Sequence, residues 1–353
     1  MSPRYPAERI LIKCPNWIGD MVAATATVRC VRENYPDAEI DLLLRPYVRP
    51  VVENAPWFNR LIEYDAHRDG LLKTARALRQ PRPYDLALLL THSFRSALLA
   101  RLARARIRVG HRRHGRSFLL TDGVHWPAKG PDPRLVPKVV VYRSLLEHLG
   151  CEDAADQRPE VFTSEDDEEK CERLLEAHGR DPARAMVAIV PGASYGASKL
   201  WPPDRFAVVA NRLADEHGMQ SAILSGPGET AIASEIARYM PDPPIRFVEG
   251  EMTFGVLKAV VRRCGLMVCN DTGPRHVAVA YSIPVVTLMG PTSPIVTDSD
   301  YERTIIVRQD VPCAPCYLRV CPTNHICMRR ITPEMVYGAA EELLRRYPNA
   351  GGA

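Results

Sequence analysis

The chain has 353 residues, enough for two domains of common size, and its 46% hydrophobic and 25% charged residues are typical of a globular enzyme. The net charge of +4 is small and argues against a nucleic-acid-binding protein, which needs a concentrated basic stripe. No run approaches the roughly 20 apolar residues that cross a bilayer. Residues 1–6 lead directly into a strand without the apolar core of a signal peptide. We therefore expect a cytoplasmic protein without transmembrane segments, and peripheral contact with a membrane surface is compatible with this.

The first half alternates between strand-like and helix-like patterns. Strand-like runs occur at 9–14, 39–44, 61–64, 84–90 and 106–110, and helix-like runs at 20–35 and 93–103. This alternation predicts a mostly parallel sheet covered by helices on both faces. Residues 111–135, rich in Arg, His, Gly and Pro, lose the pattern and are interpreted as a long functional loop. A helix from about 135 to 149 follows, and Gly150 ends it.

The alternation restarts in the second half, after an acidic helical stretch. Strand-like runs occur at 185–190, 221–224, 245–248, 266–268 and 285–288, and helix-like runs at 203–217, 229–239, 254–263 and from Pro274. We predict two α/β domains, 1–165 and 185–330, joined by a linker at about 166–184. A helix over 332–347 is expected to pack across both domains. Ligands of such folds lie beyond the carboxyl ends of the strands, so we expect a shared cleft.

The segment from Cys269 to His276 predicts a strand end, a tight turn and a helix start. Pro274 suits the first helical position, where a missing N–H costs nothing. The N–H groups beyond it have no partner within the helix and can bind an anion. Asp271 and His276 then flank a probable phosphate pocket. A purely capping role for the turn is the alternative.

The loop over 191–202 follows the first strand of the second domain, just as the loop over 14–20 follows the first strand of the first domain. Small residues, hydroxyls and then Lys199 suit a diphosphate, since amides cradle it while an ammonium neutralises it. The spacing is not that of a P-loop, and a solvated surface lysine is the alternative. Glu229 can accept ribose hydroxyls or serve as an acid of the first helical turn. Residues 250–253 can present backbone to a flat base.

The first loop, residues 14–20, connects the first strand to the first helix. Gly19 allows close approach of a ligand. Asp20 stands at the helix start and is expected to face the cleft, with an N-cap role as the alternative. The dinucleotide fingerprint G-x-G-x-x-G is absent.

Together these loops resemble the bacterial heptosyltransferases of glycosyltransferase family nine over nearly the whole chain. The segments that carry the resemblance are 15–21, 34–36, 93–97, 191–193, 199–202 and 271–276. The resemblance implies a GT-B fold, with two Rossmann-like domains whose mostly parallel sheets face a central cleft. It also implies inverting transfer from ADP-heptose to a lipid A–inner core acceptor at the cytoplasmic face of the inner membrane, with no cofactor required.

The same resemblance implies roles for individual residues. Asp20 would be the general base, and Lys199 would bind the donor diphosphate. Further donor-binding residues would be Ser194, Tyr195, Glu229, Met252, Asp271, Thr272, Gly273 and His276. Acceptor-binding residues would be Asn16, Ser93, Arg95 and Arg113. Arg275 replaces a small residue of some relatives, which leaves its role in doubt.

A basic set, consisting of Arg95, Arg108, Arg112, Arg113, His114 and Arg116, is expected to face an anionic acceptor. A solvated basic surface is the alternative. In chemical terms, inverting displacement needs a base for the acceptor hydroxyl and charge relief on the departing diphosphate. Asp20 and Lys199 would supply the two, and domain closure would exclude water.

Four of the ten cysteines are clustered: Cys313, Cys316, Cys321 and Cys327. Their spacing suggests a structural zinc or iron–sulfur site, with His325 as a further candidate ligand; disulfides and free thiols are the alternatives. The remaining six are interpreted as small core or surface residues. Two other functions stay open: another GT-B nucleotide-sugar transferase or epimerase, and a metal- or redox-sensing binding protein on a degenerate scaffold.

Overall fold

The chain forms two compact α/β units, each built on one six-stranded parallel sheet. The structure is a computed structural model that describes residues 3–128, 132, 135–297, 299 and 301–348. The first unit comprises residues 1–162 with 295–299, and the second comprises 163–294 with 300–353. Every pairing between described strands is parallel. The alternation of strand and helix along the chain fits this parallel arrangement, because two neighbouring parallel strands must be joined by a crossover connection, usually a helix.

The first unit contains strands β1 (Arg9–Lys13), β2 (Glu39–Leu44), β3 (Arg60–Glu63), β4 (Leu86–Leu89), β5 (Ile107–His111) and β6 (Asp122–Val124). Its helices are α1 (Ile18–Asn34), α2 (Leu71–Leu78), α3 (Phe94–Leu102) and α4 (Lys138–Leu149). The strand order is β3-β2-β1-β4-β5-β6. The central strand β1 is buried along its whole length, which explains the three apolar residues at its centre, Ile10 to Ile12. Helices α1 and α4 pack on each other.

The second unit contains strands β7 (Met186–Val190), β8 (Gln220–Ile223), β9 (Ile245–Arg246), β10 (Cys264–Asn270), β11 (Val285–Leu288) and β12 (Thr304–Val307). Its helices are α5 (Glu165–Ala177), α6 (Pro203–His217), α7 (Thr230–Ala237), α8 (Phe254–Arg262), α9 (Gly273–Ala280), α10 (Ile326–Arg329) and α11 (Pro333–Arg346). The strand order is β12-β11-β10-β7-β8-β9. Its core includes Trp201 and Phe206, whose rings meet edge to face at 4.9 Å.

Helix ends follow their sequence signals closely. Gly150 and Gly218 end α4 and α6 in the left-handed region, with φ of 71° and 65°. Ser164 and Asp167 form a reciprocal capping box at the start of α5. These caps fix where each helix stops and hence where the next loop begins.

Both sheets place their candidate site loops at the point where the strand order reverses. In the first unit this point lies between β1 and β4, and in the second between β7 and β10. Crevices that bind ligands in open parallel sheets form at such switch points. The segments that follow these four strands carry Asp20, in the first turn of α1, and Ser93, Lys199 and Asp271. The topology therefore gathers the candidate residues of each unit into one neighbourhood.

Several elements depart from the sequence prediction. Strand β6 lies inside residues 111–135, which were predicted to be a loop, and β12 and α2 were not predicted. Residues 129–131, 133 and 134 of that loop lie outside the described residues. The segment proposed as the linker contains α5, which packs on α8 within the second unit.

Helix α11 packs on α6 and on the β11–β12 edge within the second unit, and its packing across both domains stays a prediction. Among the described residues, no helix combines the length and apolar character that crossing a bilayer requires.

Candidate active site

The turn after β10 is the centre of the candidate donor site in the second unit. Strand β10 is fully buried, and Asp271 follows it, with its N–H donating to Leu288 O at 3.1 Å. Thr272 is the N-cap of α9, and its side chain makes no capping hydrogen bond. Gly273 and Pro274 form the first two helical positions, so Pro274 is second where we expected it first. Helix α9 therefore begins with amides that lack helical partners and with a free capping hydroxyl.

Lys199 makes an ion pair with Asp271. Its ammonium lies 2.5 Å from Asp271 Oδ2 and 3.0 Å from the carbonyl oxygen of the same residue. Thr292 Oγ1 donates to the same carboxylate oxygen at 2.7 Å. Burial alone would raise the pKa of Asp271, but the Lys199 charge and these hydrogen bonds hold that pKa below its ordinary value. Lys199 is buried, so the interpretation of it as a solvated surface lysine is wrong.

His276 lies in the first turn of α9, beside this pair. Burial, together with the charge of Arg275, lowers the pKa of His276 to about 3. The imidazole is therefore neutral at physiological pH and can donate or accept one hydrogen bond on each side. Arg275 itself is buried and makes an ion pair with Glu302, so its guanidinium binds a carboxylate in the interior of the second unit.

Ser194 and Tyr195 lie in the loop after β7, close to Lys199. Ser194 is exposed, whereas the Tyr195 hydroxyl donates to Tyr317 O at 2.5 Å. The Lys199 ammonium lies 4.9 Å from the centroid of the Tyr195 ring. The loop is thus tied to residues 317–319, and its tyrosine presents an aromatic face beside the cation.

The Glu229 carboxylate lies against Gly192 of the same loop, where there is no room for a side chain. A Cβ at Gly192 would overlap the Glu229 carboxylate. Oε2 of Glu229 accepts from the N–H of Gly226 at 2.7 Å. This arrangement fixes a carboxylate at the end of β8, where it can accept hydrogen bonds from a sugar. Met252, half-buried, lies in the turn between β9 and α8.

Asp20 is the candidate base of the first unit, and the structure excludes a capping role for it. The N-cap of α1 is Trp17, which places Asp20 in the first turn. One carboxylate oxygen of Asp20 lies 3.4 Å from the Lys138 ammonium, and both side chains are less than a third exposed, at 28% and 29%. Tyr142 OH donates to Asp20 O at 3.4 Å. Lys138 and Tyr142 both belong to α4, so α4 holds the start of α1 in place.

The predicted acceptor-binding residues lie around the ends of β1, β4 and β5. Asn16 is exposed between β1 and α1. Ser93 is the N-cap of α3 and accepts from Ser96 N–H at 3.2 Å. The Arg95 guanidinium donates to Tyr64 OH at 2.7 Å, and that of Arg113 lies 4.2 Å from the centroid of the Trp126 ring. Their roles toward an acceptor stay predictions.

Two arginines of the predicted basic set donate to main-chain carbonyl groups. Arg116 is fully buried and donates to His111 O at 3.0 Å and Thr91 O at 2.6 Å, which joins the ends of β4 and β5. Burial lowers its pKa to about 10, so it remains charged at neutral pH. Arg108 donates to Leu119 O and Ala105 O at 2.7 and 2.6 Å. The expectation that Arg116 faces an acceptor is wrong, because main-chain carbonyl groups in the interior use its donors. Arg108 is half-buried, and its role toward an acceptor stays a prediction.

An aromatic cluster that the sequence did not reveal lies at the same sheet edge. His92, His111 and Trp126 meet edge to face, with ring centroids 4.8 to 5.6 Å apart. Burial lowers the pKa of His92 to about 3 and that of His111 to about 4, so both are neutral at physiological pH. Each leaves its Nδ1 buried without a hydrogen-bond partner. The only sequence signal was the position of each histidine at the end of a strand.

The four clustered cysteines are neighbours but do not form a ligand set. Burial is the larger cause of the raised pKa of Cys327, and the other three thiols lie close enough to raise it as well. Within the described ranges, no group of three or more His, Cys, Asp or Glu side chains is placed to hold a metal ion. Every cysteine there is a free thiol, and His325 instead contacts Ser198 O at 2.5 Å. The side chains therefore do not fit the predicted zinc or iron–sulfur site, nor do they form disulfides.

Comparison with known proteins decides the family. The model of "Glycosyltransferase family 9 (heptosyltransferase)" matches residues 71–327. The chain belongs to glycosyltransferase family 9. The curated lipopolysaccharide heptosyltransferase 2 of Escherichia coli (strain K12) is 29% identical over 311 residues, covering 85% of this chain and 88% of that protein.

Solved structures agree with this assignment. The structure of E. coli ADP-heptose lps heptosyltransferase II is 27% identical, with a TM-score of 0.74 and coverage of 96% and 99%. A glycosyltransferase family 9 structure from Veillonella parvula is 23% identical, with a TM-score of 0.82 and coverage of 96% and 97%, and it supports the fold alone. The predicted GT-B fold class, with two Rossmann-like units, is confirmed, and this glycosyltransferase is an enzyme.

Proposed function

We propose that this glycosyltransferase transfers heptose from ADP-heptose to the inner core of lipopolysaccharide, with inversion at the anomeric carbon. The observation that carries the proposal is the Lys199–Asp271 pair beside the free N-terminal amides of α9, at the switch point of the second sheet. The curated relative named above supports the sugar and the class of acceptor.

The donor would be bound by the second unit. Glu229, fixed over Gly192, accepts hydrogen bonds from the ribose hydroxyls, and the turn at 250–253 with Met252 lies against the base. The diphosphate lies at the start of α9, near Ser194 and Lys199, where backbone amides and the helix dipole favour negative charge. Thr272, Gly273 and the neutral His276 hold the heptose and the adjoining phosphate.

The acceptor would be bound by the first unit, where Asp20 removes the proton of the attacking hydroxyl. Lys138 orients this carboxylate across 3.4 Å, so Asp20 does not depend on solvent for its position. Asn16, Ser93, Arg95 and Arg113 contact the acceptor, and the two arginines suit its carboxylate and phosphate groups. A general base of this kind contributes roughly 10²- to 10⁴-fold to the rate.

Charge relief on the departing ADP would come from Lys199, the α9 amides and Thr272, without a resident cofactor. Preorganised donors of this kind stabilise charge that develops in the transition state, because they need no reorganisation. The acceptor's lipid anchor implies that the enzyme works at the cytoplasmic face of the inner membrane.

The proposal is tested by mass spectrometry of the product formed from ADP-heptose and a truncated inner-core acceptor. We expect one added heptose with inverted anomeric configuration. UDP- and GDP-sugars in the same assay test the alternative of another nucleotide-sugar enzyme. Transfer from one of these, with none from ADP-heptose, would replace the proposed donor.

A further inference from the structure

Residues 317–319 lie directly against the loop that carries Lys199. The N–H of Ser198 donates to Arg319 O at 3.0 Å, and Ser198 Oγ donates to Leu318 O at 2.5 Å. At Gly196 the two backbones approach so closely that a Cβ would overlap the Arg319 carbonyl group. The segment is therefore part of the wall of the candidate donor site, although it follows the last strand of the sheet.

The side chain of Arg319 points toward the same aromatic ring as Lys199. Its Cζ atom lies 5.6 Å from the centroid of the Tyr195 ring, and the Lys199 ammonium lies 4.9 Å from that centroid. Distances of about 6 Å or less are those at which a cation is attracted to a ring face. Tyr195 is held in turn by its hydroxyl, which donates to Tyr317 O. One aromatic ring thus positions two cations beside the loop.

The two cations, Lys199 and Arg319, differ in whether a carboxylate lies against them. Lys199 is neutralised by Asp271, which accepts from it twice. Arg319 is exposed and makes no ion pair with any residue that the structure describes. A nucleoside diphosphate carries at least two negative charges, and Lys199, whose charge is shared with Asp271, offsets only part of them. A planar guanidinium matches phosphate oxygens in a bidentate manner, which an ammonium cannot do.

We propose that Arg319 is a second cation of the donor site, which binds the terminal phosphate of the nucleoside diphosphate from the side of Tyr195. This deepens the proposed function and rests on it. The segment that carries Arg319 is pinned to the loop by Ser198 and Gly196, so its guanidinium is held near the phosphates before the donor arrives. Such preorganisation lowers the entropy cost of binding.

The experiment is calorimetric titration of ADP and of AMP into wild-type protein, R319A, R319K and R330A. Arg330 is the matched control, since it is an exposed arginine that follows α10 in the same region. We expect R319A to lose about tenfold or more in ADP affinity, and AMP affinity to change little, because only ADP carries the terminal phosphate. The ADP affinity of R319K should lie between those of the wild type and R319A, and that of R330A should equal that of the wild type.

Thermal unfolding of each variant checks that the fold is kept. ADP affinity of R319A equal to that of the wild type would overturn the proposal while leaving ADP as the donor nucleotide. An equal loss for AMP and ADP would also overturn it, since Arg319 would then support the loop instead of a phosphate. If the wild type binds no ADP, the proposed donor is wrong, and the same comparison with inorganic pyrophosphate decides whether Arg319 binds a diphosphate.

Discussion

The Lys199 ammonium lies 2.5 Å from Oδ2 of Asp271, which joins the loop after β7 to the turn after β10. Both side chains are almost fully buried, at 11% and 12% exposed. Removing one partner of such a pair leaves an uncompensated charge in a poorly solvated place, which costs about 3–5 kcal/mol. The pair therefore combines a structural role with its proposed role in donor binding, and the two can be separated by mutation.

We predict that K199M and D271N each lower the free energy of unfolding by about 3 kcal/mol, because each leaves its partner buried and charged. The double variant should regain most of this stability, since neither charge remains, but it should not regain ADP affinity. Urea denaturation and calorimetric titration measure the two quantities. Single variants as stable as the wild type would show that the pair is well solvated and not coupled to the fold.

Gly192→Ala is predicted to weaken ADP binding by about tenfold or more, because the new methyl group displaces the Glu229 carboxylate from its place. Gly338→Ala in α11 is the matched control. Its added methyl group meets open space, and the helix should gain about 0.5–1 kcal/mol. Calorimetry with ADP, together with unfolding curves, checks both. Undiminished ADP affinity in Gly192→Ala would remove Glu229 from the ribose site.

Acid should destabilise this protein before its carboxylates titrate. Burial lowers the pKa of His92, His111 and His276 to about 3, 4 and 3. The unfolded chain titrates these groups near 6.5, so below that pH it binds protons that the folded chain does not. The stability that they contribute is therefore complete above pH 6.5 and is lost as the pH falls toward 4, by about 1.4 kcal/mol per pH unit for each histidine.

His92→Phe keeps the aromatic packing but removes one of these groups. Its free energy of unfolding, measured by urea denaturation between pH 7 and 5, should fall less steeply with falling pH than that of the wild type. The difference in slope should be the contribution of one histidine, about 1.4 kcal/mol per pH unit. The same slope in both proteins would mean that His92 is solvated and titrates normally.

The sequence predicted the positions of most strands and of the loops that follow them, because buried strands such as β4 and β7 carry unbroken apolar runs and glycines such as Gly150 end helices. It missed the edge strands β6 and β12. Only three and four residues long, these strands have one neighbouring strand each and mostly partly buried residues, so they need no strong apolar pattern. Strand pairing also depends on long-range contacts that local patterns do not contain.

The candidate site was predictable only in part. Asp20, Lys199 and Asp271 were found because each follows a predicted strand. That Lys138 partners Asp20, and that Lys199 is buried against Asp271, could not be predicted, because each pair is joined by the sheet topology and not by sequence spacing. Arg116 was expected to face an anionic acceptor because it lies in a loop rich in Arg and His. In the structure it is buried and donates to carbonyl groups near the ends of β4 and β5.

The clustered thiols should differ in reactivity according to their surroundings. Cys313 is exposed, and a hydrogen bond with Thr323 lowers the pKa of Cys321, whereas burial raises the pKa of Cys327. We expect Cys313 and Cys321 of the native protein to react first with a maleimide, and Cys327 last, because the thiolate is the reactive form. Peptide mass spectrometry gives the order. Protection of all four thiols until a chelator is added would restore the metal-site hypothesis.

The central claim is that Asp20 acts in the chemical step and not in binding the donor. The most direct measurement compares wild-type protein with Asp20→Asn, a variant of nearly the same size and without the charge, for heptose transfer from ADP-heptose and for ADP affinity. We expect transfer to fall by roughly 10²- to 10⁴-fold while ADP affinity stays within a few-fold. Transfer at the wild-type rate, or an equal loss of transfer and ADP binding, would contradict it.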